Sequence, residues 1–249
     1  LETPQINMTN GTWSSIDFQK VTGPTLRIHK KAFQNVDKTG STRSSTQDRI
    51  NCAQNFTSHI EEGKKGNVVL KGKMVDMYKL VKDGINATSQ VDIDLVNGQW
   101  KDNSSINEDQ TCNIIAMSDT SSSMEIDDCI PMYNSIGYGI RVSEKTHPNF
   151  RHRIMTFSDQ PAWFQFNEHM TFYEKVQIMR KDHRWGGTTN FYKALELILD
   201  VIVENEIPPT DVERLILAIF SDMQIDAAQR GINMATMMEN IKILFNEAG

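Results

Sequence analysis

The chain has 249 residues, with 26 Lys and Arg against 32 Asp and Glu, and a net charge of −6. That length can bury a sizeable core in one large or two small domains. The acidic balance argues against a broad phosphate-binding surface, and apolar runs of about six residues fall far short of the roughly twenty of a membrane-spanning helix.

Leu1-Glu2-Thr3-Pro4 is neither a secretory leader nor an initiating Met, so a fragment or processed chain is expected. Cys52, Cys112 and Cys129 are odd in number and lack Cys-x-x-Cys spacing, which predicts neither a disulfide framework nor a zinc site. The Asn-x-Ser/Thr triplets at Asn7, Asn10, Asn55, Asn86 and Asn103 follow from a composition rich in these residues. The expectation is an intracellular, cytoplasmic protein.

Residues 1–110 are polar and interrupted by Gly and Ser/Thr clusters, and predict a smaller, mainly helical region. Three helical stripes stand out there: Ala32, Phe33 and Val36; Ile50, Ala53, Phe56 and Ile60, closed by Gly63; and Met74, Val75, Tyr78 and Val81, closed by Gly84. Thr39 to Arg49 reads as a mobile loop. Gln99-Trp100 followed by Asp102-Asn103-Ser104-Ser105 reads as an anchor and then a linker.

From residue 111 strands and helices alternate. Asn113–Ser118 is a buried strand, and Pro131 suits the first turn of a helix reaching about Glu144. Arg153–Phe157 and Ala162–Phe166 predict a hairpin at a sheet edge. Phe172–Lys181 and Phe191–Glu204 are helices, the second ended by Pro208-Pro209. Arg214–Ser221 is a second apolar strand and Ile232–Asn246 a Met-rich helix. The order predicts an α/β fold with a doubly wound, mostly parallel sheet over residues 111–249. The 113–118 and 214–221 strands should be parallel neighbours at its centre.

The chemistry concentrates where strands end. Asp119-Thr120-Ser121-Ser122-Ser123 follows the first strand, and one carboxylate with two hydroxyls spaced by two can address one small volume. Hard oxygen donors of this kind suit Mg²⁺ or Mn²⁺, although Ser and Asp also crowd together in ordinary turns. Trp185-Gly186-Gly187-Thr188-Thr189-Asn190 runs into a helix, and Ser221-Asp222 ends the other strand. The Gly-Gly-Thr-Thr loop lacks the Gly-Lys-Ser/Thr of a P-loop. No Gly-x-Ser-x-Gly occurs, Ser121 replaces the second Asp of a haloacid-dehalogenase-type phosphatase, and the histidines show no ligand spacing. Asp127 and Asp128 read as caps of the helix at Pro131.

These three segments, in this order, resemble the metal-ion-dependent adhesion site of von Willebrand factor A (vWA) domains. The resemblance implies a vWA/Rossmann-like sheet whose last strands lie beyond Gly249. It implies direct metal ligation by Ser121, Ser123 and Thr188, with Asp119 and Asp222 acting through bound waters. Thr189 could exchange roles with Thr188. A hydroxyl-rich site leaves the cation short of neutralisation, so it seeks a carboxylate from a protein partner. The implied function is therefore a non-enzymatic, metal-dependent interaction module, without membrane association.

Trp13 to Phe18, Phe33, the Gly63-to-Met74 segment, Asp119–Met124, Met155–Ser158, Trp185-Gly186 and Ser221–Met223 further resemble a family of uncharacterised domains from plants, protists and giant viruses. A more distant similarity is to the vWA half of the Ro (TROVE) ribonucleoprotein proteins. With Lys64, Lys65, Lys71, Lys73, Lys79 and Lys82 it implies an RNA-associated alternative, whose affinity would fall steeply with salt. A metal-assisted hydrolase would need a positioned base, and none is evident.

Overall fold

The computed structural model describes residues 3–105, 113–181, 190–222, 239, 242–243 and 245–246. It divides into two compact units, Leu1–Asp76 with Asn86–Glu108, and Met77–Ile85 with Asp109–Gly249.

The first unit is helical: α1 (Pro4–Asn10), α2 (Gly23–Phe33), α3 (Gln47–Lys65) and, beyond the intervening α4 (Met77–Ile85), α5 (Gln90–Ser104). Phe18, Leu26, Phe33, Phe56 and Ile60 form its apolar centre, and Phe18 meets Phe33 and Phe56 edge-on, each at 5.2 Å between ring centroids. Asp48, in the first turn of α3, accepts the Trp13 N–H at 2.8 Å and the Ser14 N–H at 3.0 Å, tying the N-terminal turn to that helix. The α3 stripe does not close at Gly63. The helix runs on to Lys65 and ends at Gly66, whose φ of 85° is the left-handed conformation a C-terminal cap requires. Gly63 is small for another reason: a Cβ there would lie 2.4 Å from Leu70.

The second unit begins with α4 (Met77–Ile85), whose C-terminal carbonyls at Gly84 and Ile85 accept from the Gln177 side chain at 2.9 and 3.3 Å. Gly84 is thus inside α4 and faces Val176 rather than capping the helix. The alternating part follows as β1 (Ile114–Ser118), α6 (Ile126–Lys145), β2 (Arg153–Thr156), β3 (Trp163–Gln165), α7 (Phe172–Lys181), α8 (Phe191–Glu204), α9 (Pro209–Val212) and β4 (Ile216–Phe220). The sheet order is β3-β2-β1-β4. β1 pairs in parallel with β2 and with β4, aligning Ser118 with Thr156 and with Phe220, and the β2–β3 hairpin is antiparallel at one edge.

Both faces of this sheet are covered, as a mostly parallel sheet requires. Ala194, Ile198, Val201 and Ile202 of α8 pack with Ile115, Met117 and Met155. Successive strand residues point to opposite faces, and the other face, at Ser118 and Ile154, receives α6 at Gly139. The protein is therefore α/β, with a mostly parallel four-stranded sheet among the described residues.

One expectation is met in part and one changes. The 113–118 and 214–221 strands are parallel neighbours as expected; among the described residues β4 pairs with β1 alone, and Ile216 is 59% exposed. Asp127 and Asp128 do not cap α6: with Cys129 they form a turn at φ values of 48°, 55° and 62°, left-handed at three successive non-glycine residues. The regular helix starts after this turn. The Ile232–Asn246 helix falls almost wholly outside the described residues, as does Cys112. Cys52 is buried and Cys129 half-buried, and both are free thiols. Among the described residues no helix is long and apolar enough to cross a membrane.

Candidate functional site

β1 ends at Ser118, and there the chain leaves the sheet between two parallel neighbours. The Asp119 N–H donates to Phe220 O at 3.0 Å, and the Phe157 N–H donates to Ser118 O at 3.1 Å. β1, flanked by β2 on one side and β4 on the other, is where the strand order reverses. In open α/β sheets the crevice at the carboxyl ends of such strands is the ligand position.

Asp119 is 2% exposed. Its Oδ1 accepts the Ser121 N–H at 2.8 Å, folding the turn back over the carboxylate, and its Oδ2 accepts the Ser221 hydroxyl at 2.7 Å from the end of β4. Ser121 and Ser123 bring their hydroxyl oxygens to 2.9 Å from each other. The Met124 N–H donates to Ser121 O at 3.0 Å, which holds the short helical turn Ser122–Glu125 on which Ser123 sits.

α6 supports this edge from beneath. The Ser135 hydroxyl donates to Phe220 O at 3.0 Å, and the Ser118 hydroxyl donates to Ser135 O at 3.2 Å. The helix can come this close only because residue 139 is glycine: a Cβ there would stand 2.3 Å from Ser118 Oγ. On the far side of β1, Ser158 is 3% exposed and its hydroxyl has no hydrogen-bond partner among the described residues. Its carbonyl accepts the Asn190 N–H at 3.1 Å, so the residue following Thr189 is fastened to the same edge. Asn190 also starts α8, its side chain accepting the Lys193 N–H at 3.1 Å.

Of the six sequence-predicted positions, Asp119, Ser121 and Ser123 come together, and Asp222 directly follows the Ser221 that binds Asp119. Thr188 and Thr189 lie outside the described residues. Ser135 and Gly139 carry no site signal in the sequence, and Ser221 stands there only as the strand-end neighbour of Asp222. A glycine inside a helical pattern signals close backbone approach, and Gly139 could have been found that way. Ser221 needed the register of β4 against β1.

The donor set fits a small hard cation. Metal–oxygen bonds of 2.0–2.1 Å in an octahedron place adjacent ligand oxygens about 2.9 Å apart, which is the Ser121–Ser123 separation. The same distance is an ordinary O–H···O hydrogen bond, which a cation would replace without moving the oxygens. A carboxylate offers about four lone-pair sites, so Asp119 can hold its two protein donors and still accept from metal-bound water. Among the described residues no group of three or more His, Cys, Asp or Glu is placed to hold a metal.

Residues 113–249 match the model of the family described as Domain of unknown function (DUF7788), and the chain belongs to that family. Among individual proteins, it is similar to "Uncharacterized protein L728" of Acanthamoeba polyphaga mimivirus, with 28% identity over 260 residues. That alignment takes in 100% of this chain and 42% of the viral protein, so the chain spans less than half of its relative's length. No solved structure matches.

Proposed function

We propose that the protein is a non-enzymatic, vWA-like interaction module that binds Mg²⁺ or Mn²⁺ through Ser121, Ser123 and Thr188, with Asp119 and Asp222 acting through bound waters. The cation then takes a carboxylate from a protein partner. The observation that carries the reading is the meeting of Ser121 Oγ and Ser123 Oγ at 2.9 Å above a buried Asp119, held from two strands.

The chemistry follows from the ligand types. Neutral hydroxyls supply little charge, and carboxylates acting through water neutralise the ion only in part. A dication so held favours an anionic sixth ligand, and an exposed Asp or Glu of another protein is the commonest such group. Mg²⁺ suits the arrangement because it keeps several waters readily. The hydroxyls and carboxylates of the site leave the bound cation a net positive charge, and that charge favours an anionic ligand from a partner.

Isothermal titration of Mg²⁺ and Mn²⁺ into the wild type and Asp119→Ala tests this directly. The expected result is saturable binding by the wild type, weakened at least tenfold in the variant, in line with losses on removing groups that orient metal ligands. Equal binding by both proteins, or none by the wild type, would end the reading.

A further inference from the structure

An open groove of about 470 Å³ lies on the outer side of α3 in the helical unit. Ile50, Ala53, Gln54 and Thr57 line it at intervals of three and four, as one face of a helix does. The other face of α3, at Cys52, Phe56, His59 and Ile60, is the one buried in the core. Ile50 and Ala53 are thus turned away from the core and give the groove an apolar strip. Val36 and Thr42 contribute a further wall, paired as an antiparallel bridge at the base of a small hairpin.

That hairpin is firmly built. Asp37 Oδ1 accepts the Thr39 N–H at 2.7 Å and the Ser41 N–H at 2.9 Å. Below them the Arg43 N–H donates to Asn35 O at 2.9 Å, and the Asn35 side chain donates to Ser44 O at 2.7 Å.

Charge is unbalanced around the groove. Between residues 31 and 58 the chain carries Lys31, Lys38, Arg43 and Arg49 against Asp37 and Asp48 alone. Both carboxylates are taken up by other donors, Asp37 within the hairpin and Asp48 by the Trp13 and Ser14 N–H groups at 2.8 and 3.0 Å. None of the four cations is in an ion pair among the described residues. Lys38 and Arg43 are exposed on the hairpin itself. Arg49, next to Ile50, is held 3.6 Å over the Trp13 ring centroid and donates to Ala32 O at 2.7 Å. Cations left without carboxylates raise the local concentration of anions.

We infer that this groove docks an extended acidic peptide of a partner protein, with one apolar side chain among its carboxylates. The apolar side chain lies against Val36, Ile50 and Ala53, and the carboxylates meet Lys38 and Arg43. Gln54 and Thr57 offer an amide and a hydroxyl, which pair with the N–H and C=O groups of an extended backbone. A nucleic acid also brings negative charge, but its single-stranded bases bind on aromatic faces, and none of the described residues lining the groove is aromatic. The groove belongs to the helical unit alone, so this inference is independent of the cation site.

The test is fluorescence anisotropy of a labelled peptide, Gly-Glu-Glu-Leu-Glu-Glu-Gly, titrated with the full chain at physiological ionic strength. Saturable binding that weakens as salt rises is expected. Exchanging every Glu of the peptide for Gln should weaken it about tenfold or more, and exchanging Leu for Ser should weaken it several-fold. These comparisons use the wild-type protein and need no variant to fold. Lys38→Glu with Arg43→Glu, both on the surface, should weaken binding about tenfold or more. Lys64→Glu with Lys65→Glu, about 20 Å away along α3 and beyond a screening length of about 8 Å, should leave it nearly unchanged. No saturable binding by the wild type overturns the inference. So does equal affinity for the Gln or the Ser peptide, or an equal loss in both charge-reversed proteins. Tighter binding of oligouridylate than of the peptide also overturns it, and would make this face a nucleic-acid surface.

Discussion

Ser221 and Asp119 are 102 residues apart in sequence, and the serine hydroxyl donates to the carboxylate at 2.7 Å. The bond spans the β1–β4 boundary and fixes the direction in which Asp119 presents its remaining lone pairs. Ser221→Ala leaves the strand pairing intact but frees Asp119 to rotate. The expected outcome is about tenfold weaker Mn²⁺ binding with a modestly lowered melting temperature, because a buried carboxylate loses one donor, read by titration calorimetry at a temperature where the variant is folded and by thermal denaturation. Unchanged affinity would show that Ser221 does not orient the carboxylate.

Gly139 supplies a second prediction, with a sign opposite to helix propensity. Gly→Ala inside a helix ordinarily stabilises by about 0.5–1 kcal/mol. Here the added Cβ meets Ser118 Oγ at 2.3 Å, and overpacking of this kind costs about 1–3 kcal/mol. Gly139→Ala should lower stability to denaturant, and Ser118→Ala in the same chain should restore much of it. A purely additive double-mutant cycle would contradict the close approach.

The left-handed turn at Asp127–Cys129 leads to a third. Cys129 has φ 62°, a conformation that costs about 1–2 kcal/mol for a residue with a Cβ and little for glycine. Cys129→Gly should therefore raise the thermal midpoint, after the larger unfolded-state entropy of glycine is subtracted. A fall would mean that this stretch is ordinary right-handed helix, where glycine destabilises.

A fourth concerns acid sensitivity of the helical unit. Burial holds the His59 imidazole below its usual value, with Asp17 opposing that shift and Lys71 reinforcing it, and its Nε2 has no hydrogen-bond partner among the described residues. A depressed folded-state value means that the unfolded chain takes up the proton first. Stability from this group is present above the ordinary imidazole range near pH 6.5 and is lost as pH falls through the folded value. Denaturant midpoints measured downward from pH 7.5 should fall less steeply in His59→Phe than in the wild type. Parallel curves would place the acid sensitivity in other groups.

The elements read correctly from sequence are those whose signal is local. β1 and β4 are continuous apolar runs, and the 153–166 hairpin is two short runs around a Pro-containing turn. α8 has one clean apolar side. Gln99-Trp100 and Asp102–Ser105 suggest an anchor and a linker, whereas Gln90–Ser104 is one helix whose inward face is mixed: Asp92 and Gln99 are buried beside Leu95, Val96 and Trp100. Gln99 earns its place by donating to the Gly23 and Lys71 carbonyls at 3.2 and 3.0 Å, a role that no periodicity reveals. The candidate site divides in the same way. Asp119, Ser121 and Ser123 fall within five residues, so a turn alone brings them together. Ser221 reaches them only through strand register, and Ser135 only through the tilt of α6 on the sheet.

The nine residues of α4 matter for anyone who would cut this protein into pieces. The family match starts at residue 113, yet Met77–Ile85 belongs to the same compact unit as the sheet. α6 leaves a glycine at position 137 where a Cβ would collide with Met77 at 2.5 Å, and α7 spends Gln177 on the last carbonyls of α4. An expression clone trimmed to the family boundary would strip that helix away, baring the groove over Gly137 and leaving an amide on α7 with nothing to hold. A piece that keeps α4 with the sheet starts upstream of Met77. Ribosomal synthesis meets the same constraint: the earliest-made part of the α/β unit must wait through the making of α5 before the surface it covers exists.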